Sequence, residues 1–435
     1  MKKRKWLFLV IPLVLIFLVA EWFLLGLDLK KIDEIASETS KLPVLKISLN
    51  GTTLDEIRST SKDVKYEDNS LELSFNGEVF DFSDVQIKGR GNSTWSGEKR
   101  PFQIKFSSKV DLLGFGLRKK YILLANAVDD SFVRNAAMFK MAEMIDEKYR
   151  CVGESVELYI DDDYQGLYYM TTKVEIGKAA VDLRDKYGII MENDTLHRET
   201  EDCIYTDFKE CLLVKEAVFE DDEVILADAV EDFMKDYNRL EVAAKKGDFK
   251  KVNELIDVRS FAEYFIVSEF AVNPDAYNSS FNFYKDGKDD KIHAGPLWDY
   301  DYAFGNRNWS WTSNENFYSP TETMIRREVT LGKSREKVET GKLIYYLIEI
   351  PEFKAEVERV FRDKLSGRKT EFLMKVLNEA AKVRVAAEKD AERWEKDKET
   401  FYKEVKYLLN WINERYDYFE KEYGKKEWDF KSGVI

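Results

Sequence analysis

Residues 269–305 read EFAVNPDAYNSSFNFYKDGKDDKIHAGPLWDYDYAFG, and this stretch holds the most informative pattern of the chain. Asp275 sits on an Asn-Pro-Asp turn, and Asp299 and Asp301 alternate within an aromatic run. In an extended segment, alternate side chains point to the same side. Two carboxylates on one side of an apolar strand repel each other and desolvate poorly, and a divalent cation would relieve both costs. Oxygen ligands of this kind suit Mg²⁺ or Mn²⁺ together with substrate phosphates, so the pattern predicts a phosphate-handling enzyme.

Outside this stretch, the spacing of apolar residues predicts strands first and helices later. Residues 44–49 and 71–75 alternate between apolar and polar side chains, and Asn-Gly at 76–77 is typical of a hairpin turn. Residues 261–272 are apolar enough for a buried helix, and the chain beyond residue 341 is charged and has helical spacing. The sequence therefore predicts an α+β fold in two lobes, with a β-rich first half and an α-helical second half.

The amino terminus carries a membrane-targeting pattern. Residues 2–5 are basic, and residues 6–20 form an almost wholly apolar run that resumes after one acidic residue. The segment approaches the ~20 residues that span a bilayer, and the preceding basic residues favour an inside amino terminus. Residues 18–20 form a poor cleavage site, which favours an uncleaved signal anchor over residues 1–29 and a tether over residues 30–41. The body would then be extracytoplasmic on a single-pass anchor, or secreted if the segment is cleaved.

Composition excludes several classes of partner and chemistry. The chain has 435 residues, a net charge of −14 and a pI near 5.1. This balance argues against nucleic acid as a partner, because phosphate backbones need a basic surface, and is compatible with a protein partner. Only two histidines are present, which argues against a histidine-based triad and a histidine-rich zinc site. No Gly-x-x-x-x-Gly-Lys-[Ser/Thr] motif occurs, which excludes a P-loop enzyme.

The three cysteines leave the redox question open. None of them has the spacing of zinc ligands. Cys203 and Cys211 are near enough in sequence to pair across a loop, and two free thiols are an equal alternative.

Several blocks of sequence occur together in a fixed order, and their combination resembles the spore-coat protein H (CotH) kinase-like family. The blocks are residues 88–95, 99–106, 123–135, 159–169, 273–277 and 298–305. Each block alone is a weak indication, whereas their order and spacing, over residues from about 43 to about 315, are specific. On this resemblance the kinase-like domain is expected over residues 42–320. A helical extension over residues 321–435 is expected to pack on the second lobe.

The resemblance implies an atypical protein kinase fold and ATP-dependent phosphorylation of protein serines or threonines with Mg²⁺ or Mn²⁺. Asp275 is similar to the catalytic aspartate of such a fold. Asp299 and Asp301 are similar to its metal-binding aspartates. Lys105 and Arg90 resemble the bases of the first lobe that contact phosphate.

The chain also departs from the family pattern at two positions. Ser280 stands where the family commonly has an asparagine, and the neighbouring Asn278 or Asn282 is available instead, so we assign Asn282 as a third metal ligand. Thr172 stands near the end of a hairpin where the family usually has a glutamate, and the nearest acid is Glu175. These departures leave open which residues form the lysine–glutamate pair expected in kinases.

Two other functions remain open at this stage. An extracytoplasmic body has little access to ATP, so an inactive or weakly active protein that works by binding or assembly at the cell envelope is one alternative. An Asp-x-Asp motif also occurs in nucleotide-sugar transferases, which bind the same metals and a diphosphate. Stabilisation of the folded chain by ATP rather than by uridine diphosphate would separate these hypotheses.

Overall fold

The computed structural model of the chain describes residues 41–91, 93–195, 202–273, 275–306, 319–321, 328–331, 336–339 and 342–424. The predicted anchor over residues 1–29 and all of the predicted tether except Lys41 lie outside the described residues. Among the residues that are described, no helix is both long enough and apolar enough to cross a bilayer.

The first half of the chain is built mainly from strands that close into a barrel. In chain order it contains β1 (Val44–Ser48), α1 (Leu54–Ser59), β2 (Lys65–Phe75), β3 (Glu78–Gly89), β4 (Phe102–Val110), β5 (Arg118–Leu124), α2 (Arg134–Met144), β6 (Gly153–Ile160) and β7 (Asp163–Thr172). The barrel order is β1-β2-β3-β4-β5-β7-β6, closed by parallel pairing of β6 with β1. The predicted β-rich first half is confirmed, and its closure into a barrel is new.

The barrel interior is filled by residues that alternate along each strand. In β4, Phe102, Ile104 and Phe106 are buried, while the residues between them are partly exposed. This is the period of two expected of a strand with one apolar face. The predicted hairpin turn between β2 and β3 is also present, because Asn76 and Gly77 both have positive φ, at 52° and 83°, as a type I′ turn requires.

The second half is mainly helical and contains a second sheet. In chain order it contains β8 (Ile189–Asn193), β9 (Ile204–Tyr205), β10 (Cys211–Ala217), α3 (Glu223–Lys246), α4 (Phe249–Leu255), α5 (Val258–Ala271), β11 (Phe281–Lys285), β12 (His293–Ala294), β13 (Glu328–Leu331), β14 (Glu336–Glu339), α6 (Lys342–Ile348), α7 (Pro351–Lys364), α8 (Lys369–Arg393) and α9 (Glu399–Tyr423). One sheet has the order β12-β11-β8-β10-β9, and β13 pairs with β14. The predicted α+β class with a helical second half is confirmed, and the second sheet adds to it.

Helix α5 lies at the centre of the second half. It is buried on almost every side, because its sequence is apolar around the whole helix. Asp257 caps its start by accepting a hydrogen bond from the amide of Ser260 at 2.7 Å. The helix ends at Val272, whose φ of 48° is left-handed and turns the chain towards Asp275. The buried helix predicted over residues 261–272 is therefore confirmed.

The cysteine question is settled in favour of pairing. Cys203 and Cys211 form a disulfide with a Cα–Cα distance of 5.4 Å, within the usual range for such bonds. The bond spans the connection between β9 and β10, two paired strands of the second sheet. Cys151 is a free thiol buried in the larger hydrophobic core, and burial raises its pKa to about 12, which disfavours the reactive thiolate.

The C-terminal helices contact both halves of the chain. Helix α7 packs on α5, while α8 packs on β7 of the barrel and on α2. At the contact between α8 and β7, Asp390 accepts hydrogen bonds from Lys99 Nζ and, at 2.7 Å, from the amide of Leu167. The side chains of Lys99 and Asp390 are only 8% and 2% exposed. Gly166 is required beside them, because a Cβ atom there would overlap the Asp390 carboxylate.

Substitution of Asp390 by alanine is expected to lower the free energy of unfolding by about 3–5 kcal/mol, because it leaves the Lys99 ammonium buried without its partner. Urea denaturation measures this loss. The matched control is Asp228→Ala, which removes an exposed ion pair with Lys288 and should cost less than about 1 kcal/mol. Equal losses in the two variants would show that the buried pair is not what joins α8 to the barrel.

Candidate functional site

Asp275 lies on the turn directly after α5. Its backbone carbonyl accepts hydrogen bonds from the amides of Asn278 and Ser279, at 3.0 and 2.9 Å, and these bonds close the turn. Asn273 Oδ1 accepts from the Asp275 amide at 3.3 Å, and Asn273 Nδ2 donates to the carbonyl of Asp299 at 3.2 Å. One neutral side chain thus joins the predicted catalytic residue to the predicted metal loop.

The predicted metal loop is fixed through its backbone and its central tyrosine. The Tyr300 amide donates to Asn135 Oδ1 on α2 at 3.0 Å, and the Tyr300 hydroxyl is 2.8 Å from Ser268 Oγ on α5. Just before the loop, the Leu297 amide donates to Glu147 Oε1 at 2.8 Å. Burial raises the pKa of Glu147 to about 8. These contacts position the loop without using the carboxylates of its two aspartates.

The aspartates of the two segments come together around Asp301. Burial is the largest cause that raises the pKa of Asp301 well above its ordinary value. The neighbouring carboxylates of Asp299, Asp275 and Asp129 raise it further, in that order. The guanidinium of Arg90 acts in the opposite direction. We call these four aspartates the carboxylate cluster, whose excess negative charge is a favourable environment for a cation.

Asp129 is the member of the cluster that sequence reasoning did not single out. It is fully buried in an ion pair with Arg134, whose amide also donates to Asp129 Oδ2 at 2.9 Å. Arg134 reaches on to Glu404 of α9 at 3.3 Å. The adjacent Asp130 points away and pairs with Lys396 at 2.9 Å. The signal available in the sequence was an acid shortly before a helix whose first residue is arginine. An acid in this position stabilises the start of a helix, and Asp129 is therefore a structural member of the cluster.

Asn282 and Ser280 lie beside the predicted metal loop. Asn282 is fully buried, and its Nδ2 donates to the carbonyls of Ser280 and Pro296 at 3.1 and 3.2 Å. Its Oδ1 has no hydrogen-bond partner among the described residues. The hydroxyl of Ser280 donates to Asp299 Oδ2 at 3.4 Å. An unsatisfied buried amide oxygen next to this serine is an available ligand for a cation.

The two predicted phosphate-contacting residues lie at different places. The Arg90 guanidinium lies over the ring of Trp298, 5.7 Å from its centre, and acts on the charge of Asp301. The Arg90 amide donates to the carbonyl of Pro101. Lys105 is four residues beyond Pro101, which corresponds to roughly 13 Å at the rise per residue of a strand. The structure therefore brings Arg90 to the carboxylate cluster and places the Lys105 backbone away from it.

The structure also locates the two departures from the family pattern. Thr172 is buried, and its hydroxyl accepts a hydrogen bond from the Val152 amide at 3.1 Å. Glu175 pairs with Arg118 at 3.8 Å, and burial is the main cause that raises its pKa. The acid nearest to the hairpin thus pairs with an arginine of β5 and not with Lys105.

The predicted metal ligands would have to share their cation with phosphates. The residues that the structure describes contain no group of three or more His, Cys, Asp or Glu side chains placed to hold a metal ion. Magnesium bound to a nucleotide needs only one or two carboxylates, because phosphates and water supply the other ligands. Asp299, Asp301 and Asn282, whose Oδ1 has no hydrogen-bond partner among the described residues, are the residues predicted to meet this smaller requirement.

Comparison with known proteins shows which family the chain matches. Residues 87–419 match the family model described as "CotH kinase protein", from within β3 to within α9. No curated protein matches the chain in sequence. Among solved structures, the chain is similar to the "Crystal structure of the golgi casein kinase", with 10% identity, a TM-score of 0.25, and coverage of 91% of this chain and 77% of that one. Because the family model covers most of its length, the chain belongs to the CotH kinase family.

Proposed function

We propose that the chain is a metal-dependent, two-lobed atypical protein kinase that transfers the γ-phosphoryl group of ATP to a serine or threonine of a protein substrate. The observation that carries this proposal is the carboxylate cluster beside Arg90. Phosphoryl transfer needs mainly positioning and electrostatic stabilisation, and this combination of charges supplies both. Membership of the family supports the same reading of the site.

Asp299 and Asp301, with the amide oxygen of Asn282, would hold the Mg²⁺ or Mn²⁺ ion. The bound ion would neutralise negative charge on the nucleotide phosphates. Asn135 and Asn273 hold the backbone of the loop through neutral contacts. Neither contact uses the carboxylate of Asp299 or Asp301.

Asp275 would orient the acceptor hydroxyl and take its proton. The acceptor oxygen then forms its bond to the γ-phosphorus while the bond between that phosphorus and ADP breaks. Asp275 is suited to this role because its turn is closed by backbone hydrogen bonds and its position relative to Asp299 is set by Asn273. Positioned general bases of this kind contribute about 10²–10⁴-fold to the rate.

Arg90 would neutralise phosphate charge from the barrel side. Its guanidinium is already placed by stacking on Trp298, so little side-chain freedom is lost when an anion binds. Lys105 is assigned a phosphate contact on the family resemblance.

We further propose that the enzyme works outside the cytoplasmic membrane, attached through residues 1–29. The disulfide between Cys203 and Cys211 supports an oxidising compartment, since such bonds rarely persist in a reducing cytoplasm. The alternatives of an inactive envelope protein and a nucleotide-sugar transferase are separated by the labelling experiment below.

The full chain, incubated with Mn²⁺ or Mg²⁺, a casein-like acceptor and labelled ATP, is expected to transfer the γ-phosphate label to protein. Label from the α-phosphate would instead indicate nucleotide transfer. Thermal stabilisation by uridine diphosphate and not by ATP would favour a nucleotide-sugar transferase. An absence of both labelling and stabilisation by ATP would leave the binding or assembly function.

Asp275→Asn is expected to lower the rate of transfer by roughly 10²–10⁴-fold, because the acceptor hydroxyl loses its proton acceptor. Thermal stabilisation by Mg²⁺ and ATP should be retained, since Asp275 is not assigned to the metal. The matched control is Asp289→Asn in the exposed loop between β11 and β12, which should transfer at the rate of the unmodified chain. Full activity of Asp275→Asn would exclude it as the catalytic residue.

Asp301→Asn is expected to raise the melting temperature at pH 8 and to raise it less at pH 4. In the folded chain Asp301 holds its proton more tightly than in the unfolded chain, so its ionisation lowers the free energy of unfolding as the pH rises above about 4. Asparagine carries no charge and avoids this cost. Thermal denaturation at both pH values, with Asp289→Asn as control, measures the difference, and an equal gain at both values would contradict it.

The same Asp301 variant should lose stabilisation by Mg²⁺ and ATP. A ligand at 100 times its Kd stabilises the folded state by about 2.7 kcal/mol, and most of this gain should disappear in Asp301→Asn. Unchanged metal-dependent stabilisation in the variant would remove Asp301 from the proposed metal ligands.

A further inference from the structure

Lysine side chains lie next to each other on two neighbouring strands of the barrel and on the residue that directly follows a third strand. Lys105 of β4 lies directly opposite Lys120 of β5. The pairing of β5 with β7 sets Tyr121 opposite Thr172, and continuing this register by one residue brings Lys120 beside Lys173. We call Lys105, Lys120 and Lys173 the lysine row. Like charges directly opposite each other across strands are destabilising, so the row needs an explanation.

The row faces a fourth lysine from the second half of the chain. Lys120 and Lys215 both repel the charge of Lys173, and together with burial, the largest cause, they lower the pKa of Lys173. All four side chains are only partly exposed, although lysines are mostly found in full contact with water. Lys215 lies on β10, so the four lysines come from both the barrel and the second sheet.

The neighbouring acids do not balance this positive charge. Glu192 is engaged by Lys215 at 2.9 Å, and Glu175 by Arg118 at 3.8 Å. The remaining acid, Glu216, accepts a hydrogen bond from the Ile176 amide at 2.9 Å. Within the described part of the chain, none of the three lysines of the row forms an ion pair. Glu216 and Glu175 both act on the charge of Lys173, and Glu175 is shared with Arg118, so the acids do not match the three lysines one to one. This excess of positive charge occurs in a chain whose net charge is −14.

The row is separate from the carboxylate cluster. Lys120 is four residues from Leu124 at the far end of β5, which corresponds to roughly 13 Å along the strand. The chain reaches Asp129 of the cluster only five residues beyond that end. Ile122 and Leu124 lie between the two places and belong to the hydrophobic core shared with the second half. A small anion at the row therefore does not contact the cluster.

We propose that the lysine row, together with Lys215, binds a phosphate-bearing anion at a site distinct from the carboxylate cluster. A phosphate or polyphosphate group offers several acceptor oxygens, which match ammonium groups arriving from different strands. Bound there, the anion would offset the repulsion within the row. It would also join β4, β5 and β7 to β10, at the point where Lys173 opens the segment that connects the barrel to β8. The proposal replaces the ATP-phosphate contact that the family resemblance assigns to Lys105, and it does not depend on phosphoryl transfer by the carboxylate cluster.

The test uses the full chain, inorganic pyrophosphate and a chelator that removes divalent metal, with binding followed by thermal shift and titration calorimetry. Pyrophosphate should raise the melting temperature of the unmodified chain. Lys173→Met should weaken pyrophosphate binding at least tenfold, and Lys120→Gln should weaken it likewise. Lys235→Met, at an exposed position of α3, removes the same charge elsewhere and should bind as the unmodified chain does.

A second readout separates ligand binding from a structural role of Lys173. Without anion, Lys173→Met should melt at a higher temperature than the unmodified chain, because it removes a repelled, partly buried charge and keeps the packing of the stem. A structural role predicts the opposite, a lower melting temperature with unchanged pyrophosphate binding. That result, or the absence of any pyrophosphate effect on the unmodified chain, would overturn the proposal.

The source of the phosphate group is distinguished by comparing ligands in the Asp301→Asn background, where the proposed metal site is disabled. Tighter binding of ATP than of pyrophosphate, with measurable binding of adenosine, would identify a nucleotide. Equal binding of ATP and pyrophosphate, with none of adenosine, would identify a free polyphosphate group. Both results support the site, whereas loss of pyrophosphate binding in Asp301→Asn would overturn its independence from the carboxylate cluster.

Discussion

Asp301 lies among three other carboxylates, and the repulsion between them has to be overcome by contacts elsewhere in the fold. The structure does this largely with neutral groups. Asn135 and Asn273 both hold the peptide group between Asp299 and Tyr300, just before Asp301, and Tyr300 anchors the loop to α5. These contacts use none of the carboxylates. The negative charge around Asp301 is offset by Arg90 and by the ion pair of Asp129 with Arg134, and a bound cation would offset it further.

Helix α2 connects this site to the rest of the molecule. Asn135 of this helix accepts a hydrogen bond from the loop. Arg134, at the start of the helix, pairs with Asp129 and also with Glu404 of the C-terminal helix α9. Helix α8 packs on the same side of the barrel and brings Asp390 into the buried pair with Lys99. The C-terminal helices are therefore part of the support of the site, and this agrees with a family match that continues into α9.

Local patterns in the sequence predicted the local features of the fold. Alternation identified β1 and part of β2, the Asn-Gly pair identified the turn between β2 and β3, and an apolar run identified α5. Closure of the barrel was not predictable in this way, because it depends on pairing between β1 and β6, which are distant in sequence. The same limit applies to Asp129 and Asn135, whose roles depend on a loop that follows more than a hundred residues later. The sequence also did not indicate that Lys120 and Lys173 lie near Lys105, because this depends on the register between the strands.

The parallel contact that closes the barrel has a consequence for how the chain is made. Residues 44–47 of β1 pair with residues 157–160 of β6. During synthesis the first five barrel strands therefore emerge as an open sheet, whose apolar inner face stays uncovered until β6 and β7 follow. Long-range pairing of this kind folds slowly and leaves intermediates prone to aggregation. The apolar inner face of the barrel is therefore exposed for longer during synthesis than it would be if the barrel closed between strands that are neighbours in sequence.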